Sequence, residues 1–176
     1  MPLFYSPTGN PEVWDEHPGN GYISKEEHDA ALAAEEAARL AEYNKLENVK
    51  ARALAQIDES TSTRILAGFE FQPEGQAEPL HFSYDLFDQQ NFADAANAAL
   101  LAQAGTQGVP ESVAWNAYRR DSGELVRLTL TPAQFLTLYV AGALAHKATC
   151  MEAGGVKKAA AEAATTANEV AAVLAS

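Results

Sequence analysis

Between Pro79 and Leu101 the spacing of the chain changes period, and that change constrains the fold more than any other stretch. Leu80, Phe82 and Tyr84 alternate with His81 and Ser83, the period of two that marks a half-buried strand. From Leu86 the recurring positions switch to helical spacing, through Asn91 and Phe92, Ala95 and Ala96, to Ala99 and Leu100. A strand that turns into a helix at one corner requires both a sheet and a helical layer. Asp85 sits at the corner, where its carboxylate can take the orphan N–H groups of the first helical turn. Asp88, inside that turn, suits the positive end of the helix dipole.

Two hairpins supply the sheet. Phe69-Glu-Phe-Gln72 and Leu80 to Tyr84 form the first, joined by a loop from Pro73 to Pro79, with Phe69 and Phe71 facing inward and Glu70 and Gln72 outward. After a break from Gly105 to Pro110, Val113 to Tyr118 and Leu125 to Leu130 form the second, turning at Arg120-Asp-Ser-Gly-Glu124. The fold class is therefore α+β: a small four-stranded antiparallel sheet of two hairpins packed with helices, a long N-terminal helix and an Ala-rich C-terminal helical hairpin.

Residues 1–23 are expected to be an irregular aromatic arm, because Pro7, Gly9, Pro11, Pro18 and Gly19 punctuate it too often for a helix. Phe4, Tyr5, Trp14 and Tyr22, set among these turns, leave two placements open: packing on the chain's own core, or docking on a partner. Ser24 followed by Glu27 is a capping box, and no Pro or Gly intervenes before Asp58, so about 34 residues could form one helix of roughly 50 Å. Its first half is rich in alanine and buries little, so residues 24–46 are expected to project or to meet another chain. The stripe Leu40, Tyr43, Leu46, Val49, Ala53, Leu54 and Ile57 is expected to seat the second half on an α+β domain of residues 47–176. A short helical turn over 60–67 would end at Gly68.

Thr131-Pro132 opens a further helix, with Phe135, Tyr139, Gly142, His146, Cys150 and Ala153 along one face and Gly154-Gly155 at its end. Beyond it, Val156, Ala160, Ala163, Ala167, Val170 and Leu174 are spaced by fours and threes. That short heptad seam suits either an intramolecular hairpin or self-association.

Charge and composition narrow the chemistry. The formal net charge of −12 argues against nucleic acid and against an anionic membrane surface. A single cysteine, Cys150, rules out an intramolecular disulfide and fits a reducing compartment. No run approaches a membrane span, and residues 1–20 lack the pattern of a secretory signal, so a soluble protein is expected. Asp85 and Asp88 could share acid and base roles, but a helix start wants negative charge in any case. His146 and Cys150 are four apart, yet zinc needs two more ligands and neither His17, His28 nor His81 has a companion at ligand spacing; no metal or cofactor is expected. No nucleophile elbow or phosphate-binding glycine loop occurs, and no catalytic residue is assigned.

Gln89, Gln90 and Asn91 cannot all face one way on a helix. Either Asn91 or Gln90 bonds the backbone of the adjacent hairpin, or the run forms a recognition patch with Asn116, Tyr118 and Trp115. Trp115 alternates with Val113 and Ala117 and so belongs more naturally to the core.

The stretch Ser83-Tyr84-Asp85 followed by Asp88-Gln-Gln-Asn-Phe92 resembles a bacteriophage domain of unassigned function whose genes lie among tail genes, beside those for tail fibres and their assembly chaperones. Val113 to Tyr118, Leu125 to Leu130 and Phe135 to Tyr139 are similar in the same order, and the resemblance spans roughly residues 47–160. Phe4-Tyr-Ser-Pro7 with Ser24-Lys-Glu-Glu-His28 is similar to the start of phage tail fibre assembly proteins. The resemblance implies a non-enzymatic tail protein, made in the cytoplasm of a bacterial host, that assists assembly of the tail fibre or attaches it. The alternatives are a permanent adaptor in the tail or baseplate, and a glycan- or peptide-binding module at the fibre tip. The partner would be a tail fibre or other tail protein, with self-association through residues 24–46 or 156–175 also open. The candidate partner-binding residues are Phe4, Tyr5, Trp14, Tyr22, Gln89, Gln90, Asn91, Asn116 and Tyr118.

Overall fold

The computed structural model describes residues 2–14 and 16–176; positions 1 and 15 of the expected arm lie outside the described residues. The arm is not irregular. β1 (Leu3–Tyr5) pairs antiparallel with β2 (Pro11–Val13) on one side and β3 (Ile23–Ser24) on the other, forming a three-stranded sheet. The first turn closes through the Gly9 N–H on the Ser6 carbonyl at 2.8 Å and the Ser6 N–H on the Asn10 carbonyl at 2.9 Å. These strands of two or three residues are set among Pro7, Gly9, Pro11, Pro18 and Gly19, so the turn residues dominate the sequence pattern. Pro11 is tolerated because β2 is an edge strand.

α1 (Lys25–Tyr43) starts at the expected capping box of Ser24 and Glu27 and buries none of its 19 residues. The helix does not continue to Asp58. It breaks at Asn44-Lys45, where Lys45 takes an extended backbone (φ −55°, ψ 138°), and α2 (Leu46–Leu66) begins. The Asn48 side chain donates to the Glu42 carbonyl at 2.7 Å, which also accepts the Lys45 N–H at 3.2 Å in the last turn of α1. The break divides the expected stripe. Leu40 and Tyr43 stay exposed on α1, whereas Ala53 and Ile57 are buried on α2. α2 absorbs the expected turn over 60–67 and is terminated by Gly68, whose φ of +83° favours glycine. A Cβ there would also lie 2.2 Å from the Phe82 carbonyl oxygen.

The two predicted hairpins are present. β4 (Phe69–Phe71), β5 (Leu80–Phe82), β6 (Val113–Arg119) and β7 (Leu125–Leu130) form an antiparallel sheet in sequence order. α3 (Leu86–Gln103) connects the hairpins, and the fold class is α+β as expected. α4 (Pro132–Thr137), capped by Thr131, runs on through a π-helical segment (Leu138–Leu144) into α5 (Ala145–Ala163). The core lies between the sheet and these helices. Phe82, Phe92, Phe135 and Leu138 are fully enclosed, with Phe69 stacked on Phe82 at 5.4 Å and Phe92 on Phe135 at 5.8 Å. Each such side chain contributes about 1.5–3 kcal/mol by leaving water. Leu86 and Leu100, read as part of the inward stripe of α3, are exposed instead; Phe92, Ala96 and Ala99 carry that face.

Gly154-Gly155 does not end a helix. α5 passes straight through it, and Gly154 lies close against α2: a Cβ would stand 2.4 Å from Thr61 Oγ1. The same two helices are tied by the Lys50 ammonium on the Glu162 carbonyl at 2.6 Å and by a Lys158–Asp58 ion pair. α5 stops at Ala164 (ψ 141°), and α6 (Ala167–Ala175) starts from a capping box of Thr166 and Glu169. Within the chain, the heptad seam is accordingly not packed along its length. Val156, Ala160, Ala163 and Ala167 are exposed, and only Val170, with Leu174 beside it, packs into a second small core with Ala53 and Ala164.

Candidate functional site

Where β5 leaves the sheet, the hairpin of β6 and β7 runs on alone. Pairing of β5 with β6 ends at His81 opposite Tyr118, whereas β6 and β7 stay paired from Val113 opposite Leu130 to Tyr118 opposite Leu125. The start of α3 stands beside the unpaired part of β6. Between them opens a cleft of about 690 Å³, walled by Asp88, Asn91 and Asp94 of α3 and floored by Asn116, Tyr118 and Arg127 of the hairpin. That volume is in the range of ligand-binding clefts.

The wall is held by local chemistry that the sequence dictates. The Asp88 N–H donates to Asp85 Oδ1 at 2.8 Å and the Asp85 N–H to Asp88 Oδ2 at 3.3 Å, fixing the first turn of α3. Gln90 Nε2 donates to Asp94 Oδ1 at 2.8 Å. Gln89 is the member of the amide run turned toward structure. Its Nε2 donates to the Tyr84 carbonyl at 3.2 Å and its Oε1 accepts from Lys147 Nζ at 2.9 Å. Neither Asn91 nor Gln90 makes the expected bond to the hairpin backbone. Position 89 lies three residues before buried Phe92 and so shares the inward side of α3, which residue 91 does not.

The expected patch is thus brought together in part. Asn91, Asn116 and Tyr118 line one cleft, while Gln89 is committed to bracing α3 and Gln90 lies outside the lining. Trp115 packs on Phe92 at 4.3 Å and Phe135 at 5.1 Å, as the core reading expects. Arg127, directly opposite Asn116, is a cleft residue that sequence reasoning missed. The signal was present: its outward position in the alternation Leu125 to Leu130 pairs it with Asn116 once the hairpin register is drawn.

The N-terminal candidates form a separate group. Of the two placements left open for the aromatics, the candidate partner-binding residue Phe4 takes the first: it is buried within the chain, edge-on to His17 at 4.9 Å. Tyr5 stacks on His28 at 3.6 Å with the rings 4° apart, so most of it is spent on α1. Trp14 and Tyr22 converge on Glu12, the indole N–H at 3.3 Å and the phenol at 3.0 Å. The bond to Glu12 is the main cause that raises the Tyr22 phenol above its ordinary pKa. Trp14 remains 43% exposed beside Val13, which is 58% exposed.

His146 and Cys150 serve packing. His146 Nε2 lies 3.2 Å from the Ile65 carbonyl at the end of α2, and buried Cys150 places its sulfur 3.9 Å from the ring. Among the described residues no group of three His, Cys, Asp or Glu side chains is arranged to hold a metal ion. Among the described residues, too, no helix is long and apolar enough to cross a membrane.

No curated protein and no solved structure matches the chain. A family model described as "Domain of unknown function (DUF4376)" matches residues 48–174, from the first turn of α2 to near the end of α6. The chain therefore belongs to the DUF4376 family, with the N-terminal sheet and α1 lying ahead of the matched region.

Proposed function

We propose that this protein is a non-enzymatic bacteriophage tail protein, acting as a tail fibre assembly chaperone or fibre-attachment factor. The observation that carries the reading is the arm. α1 spans about 28 Å, buries no residue and presents Leu32, Leu40 and Tyr43 to solvent. It is preceded by a sheet with its own aromatic packing that leaves Val13 and Trp14 exposed. A half-exposed tryptophan is of the residue type enriched among interface anchors, and the exposed valine beside it extends the apolar surface. The family match begins only after the arm, so the arm is a candidate for what this chain adds to the shared body.

In this reading the body is a rigid head and the arm grips the partner. A chaperone of this kind covers apolar fibre surface in the host cytoplasm until the fibre trimerises, and the net charge of −12 keeps the pair soluble. The polar cleft of Asn91, Asn116 and Tyr118 favours a second reading, a glycan- or peptide-binding module at the fibre tip. Co-expression with the fibre protein tests the first reading: soluble fibre should rise with the full chain and fall back with Val13→Asp, Trp14→Ala. Fibre that folds equally well without this chain refutes it. Mass spectrometry of purified particles then separates a chaperone, which departs, from a permanent adaptor, which stays.

A further inference from the structure

We infer that the cleft beside α3 receives an extended segment of a partner polypeptide as an added strand on β6. The inference rests on the reading that the partner is a protein, but it uses the head and not the arm. Along an antiparallel strand, successive residues direct their N–H and C=O groups alternately to the two sides. The Arg119 N–H donates to the Glu124 carbonyl at 2.9 Å, so residues 119, 117, 115 and 113 direct their main-chain groups to β7. Tyr118, Asn116 and Ala114 direct theirs the other way. Tyr118 meets His81 of β5, but the register of β5 ends there.

Beside Asn116 and Ala114, no strand among the described residues takes up the edge, and both residues are exposed. The space that a neighbouring strand would occupy opens into the cleft, with Asn91 on its far wall. An incoming extended segment can therefore exchange main-chain hydrogen bonds with Asn116 and Ala114, the mode known as strand addition. Asn91, Asn116 and Tyr118 supply amide and hydroxyl groups for its side chains. Asp88 and Asp94 on the wall favour a segment with a lysine or arginine on the side facing α3. A glycan would find the same amides but could not use the open main-chain edge, so the edge favours a peptide.

The probe is a yeast-displayed library of random dodecapeptides selected on the full chain, followed by affinity measurement on variants. Asn116→Pro removes an N–H that faces the cleft and leaves the bonds between β6 and β7 in place. It should weaken the selected peptides about ten-fold, the worth of one main-chain hydrogen bond. Leu125→Pro, the same change on the free edge of β7 and outside the cleft lining, should leave them unaffected. Asp94→Lys keeps the backbone and should weaken those peptides that carry a basic residue. Amide hydrogen exchange at Ala114 and Asn116 should slow when peptide is added. The inference is overturned if no selected peptide depends on Asn116, or if protection falls on Leu125, Arg127 and Thr129. Glycan-array binding with unchanged exchange at Ala114 and Asn116 also overturns it. Such a failure leaves the arm reading standing, because soluble fibre yield would still depend on Val13 and Trp14.

Discussion

Gly154 and Gly155 are adjacent and alike in sequence, yet replacing them by alanine is expected to have opposite consequences. Both lie inside α5, where alanine is favoured over glycine by about 1 kcal/mol. At Gly155 a new Cβ meets nothing within 4 Å, so Gly155→Ala should raise stability by close to that amount. At Gly154 the Cβ would lie 2.4 Å from Thr61 Oγ1 and 3.1 Å from Thr61 Cγ2. Thr61 is β-branched and sits on α2, so few rotamers relieve the clash, and overpacking of this kind costs about 1–3 kcal/mol. The propensity gain is common to both variants and cancels in their difference. Gly155→Ala should therefore be the more stable by about 1–3 kcal/mol, at roughly 2–4 °C in Tm per kcal/mol for a chain of this size. Urea and thermal unfolding followed by far-UV circular dichroism measure the gap. Adding Thr61→Ala to Gly154→Ala should narrow it, because the remaining Thr61 Cβ would lie 3.3 Å from the new one. Equal stabilities, or a Gly154→Ala protein that is the more stable, would refute the close approach of α5 to α2.

Three further outcomes are expected. Asp85→Ala, which removes the capping box that sets the cleft wall, should cost about 0.5–2 kcal/mol in urea unfolding. Phe4→Ala should cost about 3–5 kcal/mol within the small N-terminal sheet and melt it, while hydrogen exchange in the sheet of β4 to β7 is unchanged, since α1 buries nothing between them. Acid titration should also register the caps. The Ser24 N–H and hydroxyl hold Glu27, and the Thr165 N–H and hydroxyl hold Glu169, below the ordinary carboxylate value of 4.5. A depressed folded-state pKa adds stability that is full above that value and is lost as pH falls through the folded pKa. The helical signal should therefore decline below that pH, and Glu27→Gln and Glu169→Gln should each flatten the decline in circular dichroism.

The head was legible because its signals are local and redundant. The alternation of Leu80, Phe82 and Tyr84, the caps at Asp85 and Thr131, and the turn at Arg120 to Glu124 each point to the element that is found. Some of the misread stretches lie where a tertiary contact decides between two local readings. Gly154-Gly155 is as good a helix stop as a helix contact until Thr61 is placed against it. The start of α6, and with it the end of α5, is signalled by Thr166-Ala-Asn-Glu169, since Thr166 with Glu169 is a capping signature. The break at Asn44-Lys45 has no Pro or Gly to announce it. In the site, Asn91, Asn116 and Tyr118 could be grouped from strand and helix phase, but the cleft itself depends on where β5 stops pairing, which no spacing encodes.

The claim at the centre of the account is that the arm is what holds the partner. Hydrogen–deuterium exchange of the full chain, alone and with the fibre protein, addresses it residue by residue. Slowed exchange is expected in β2, β3 and α1 on complex formation, around Val13 and Trp14 above all. A complex in which those amides exchange as they do in the free chain would contradict it.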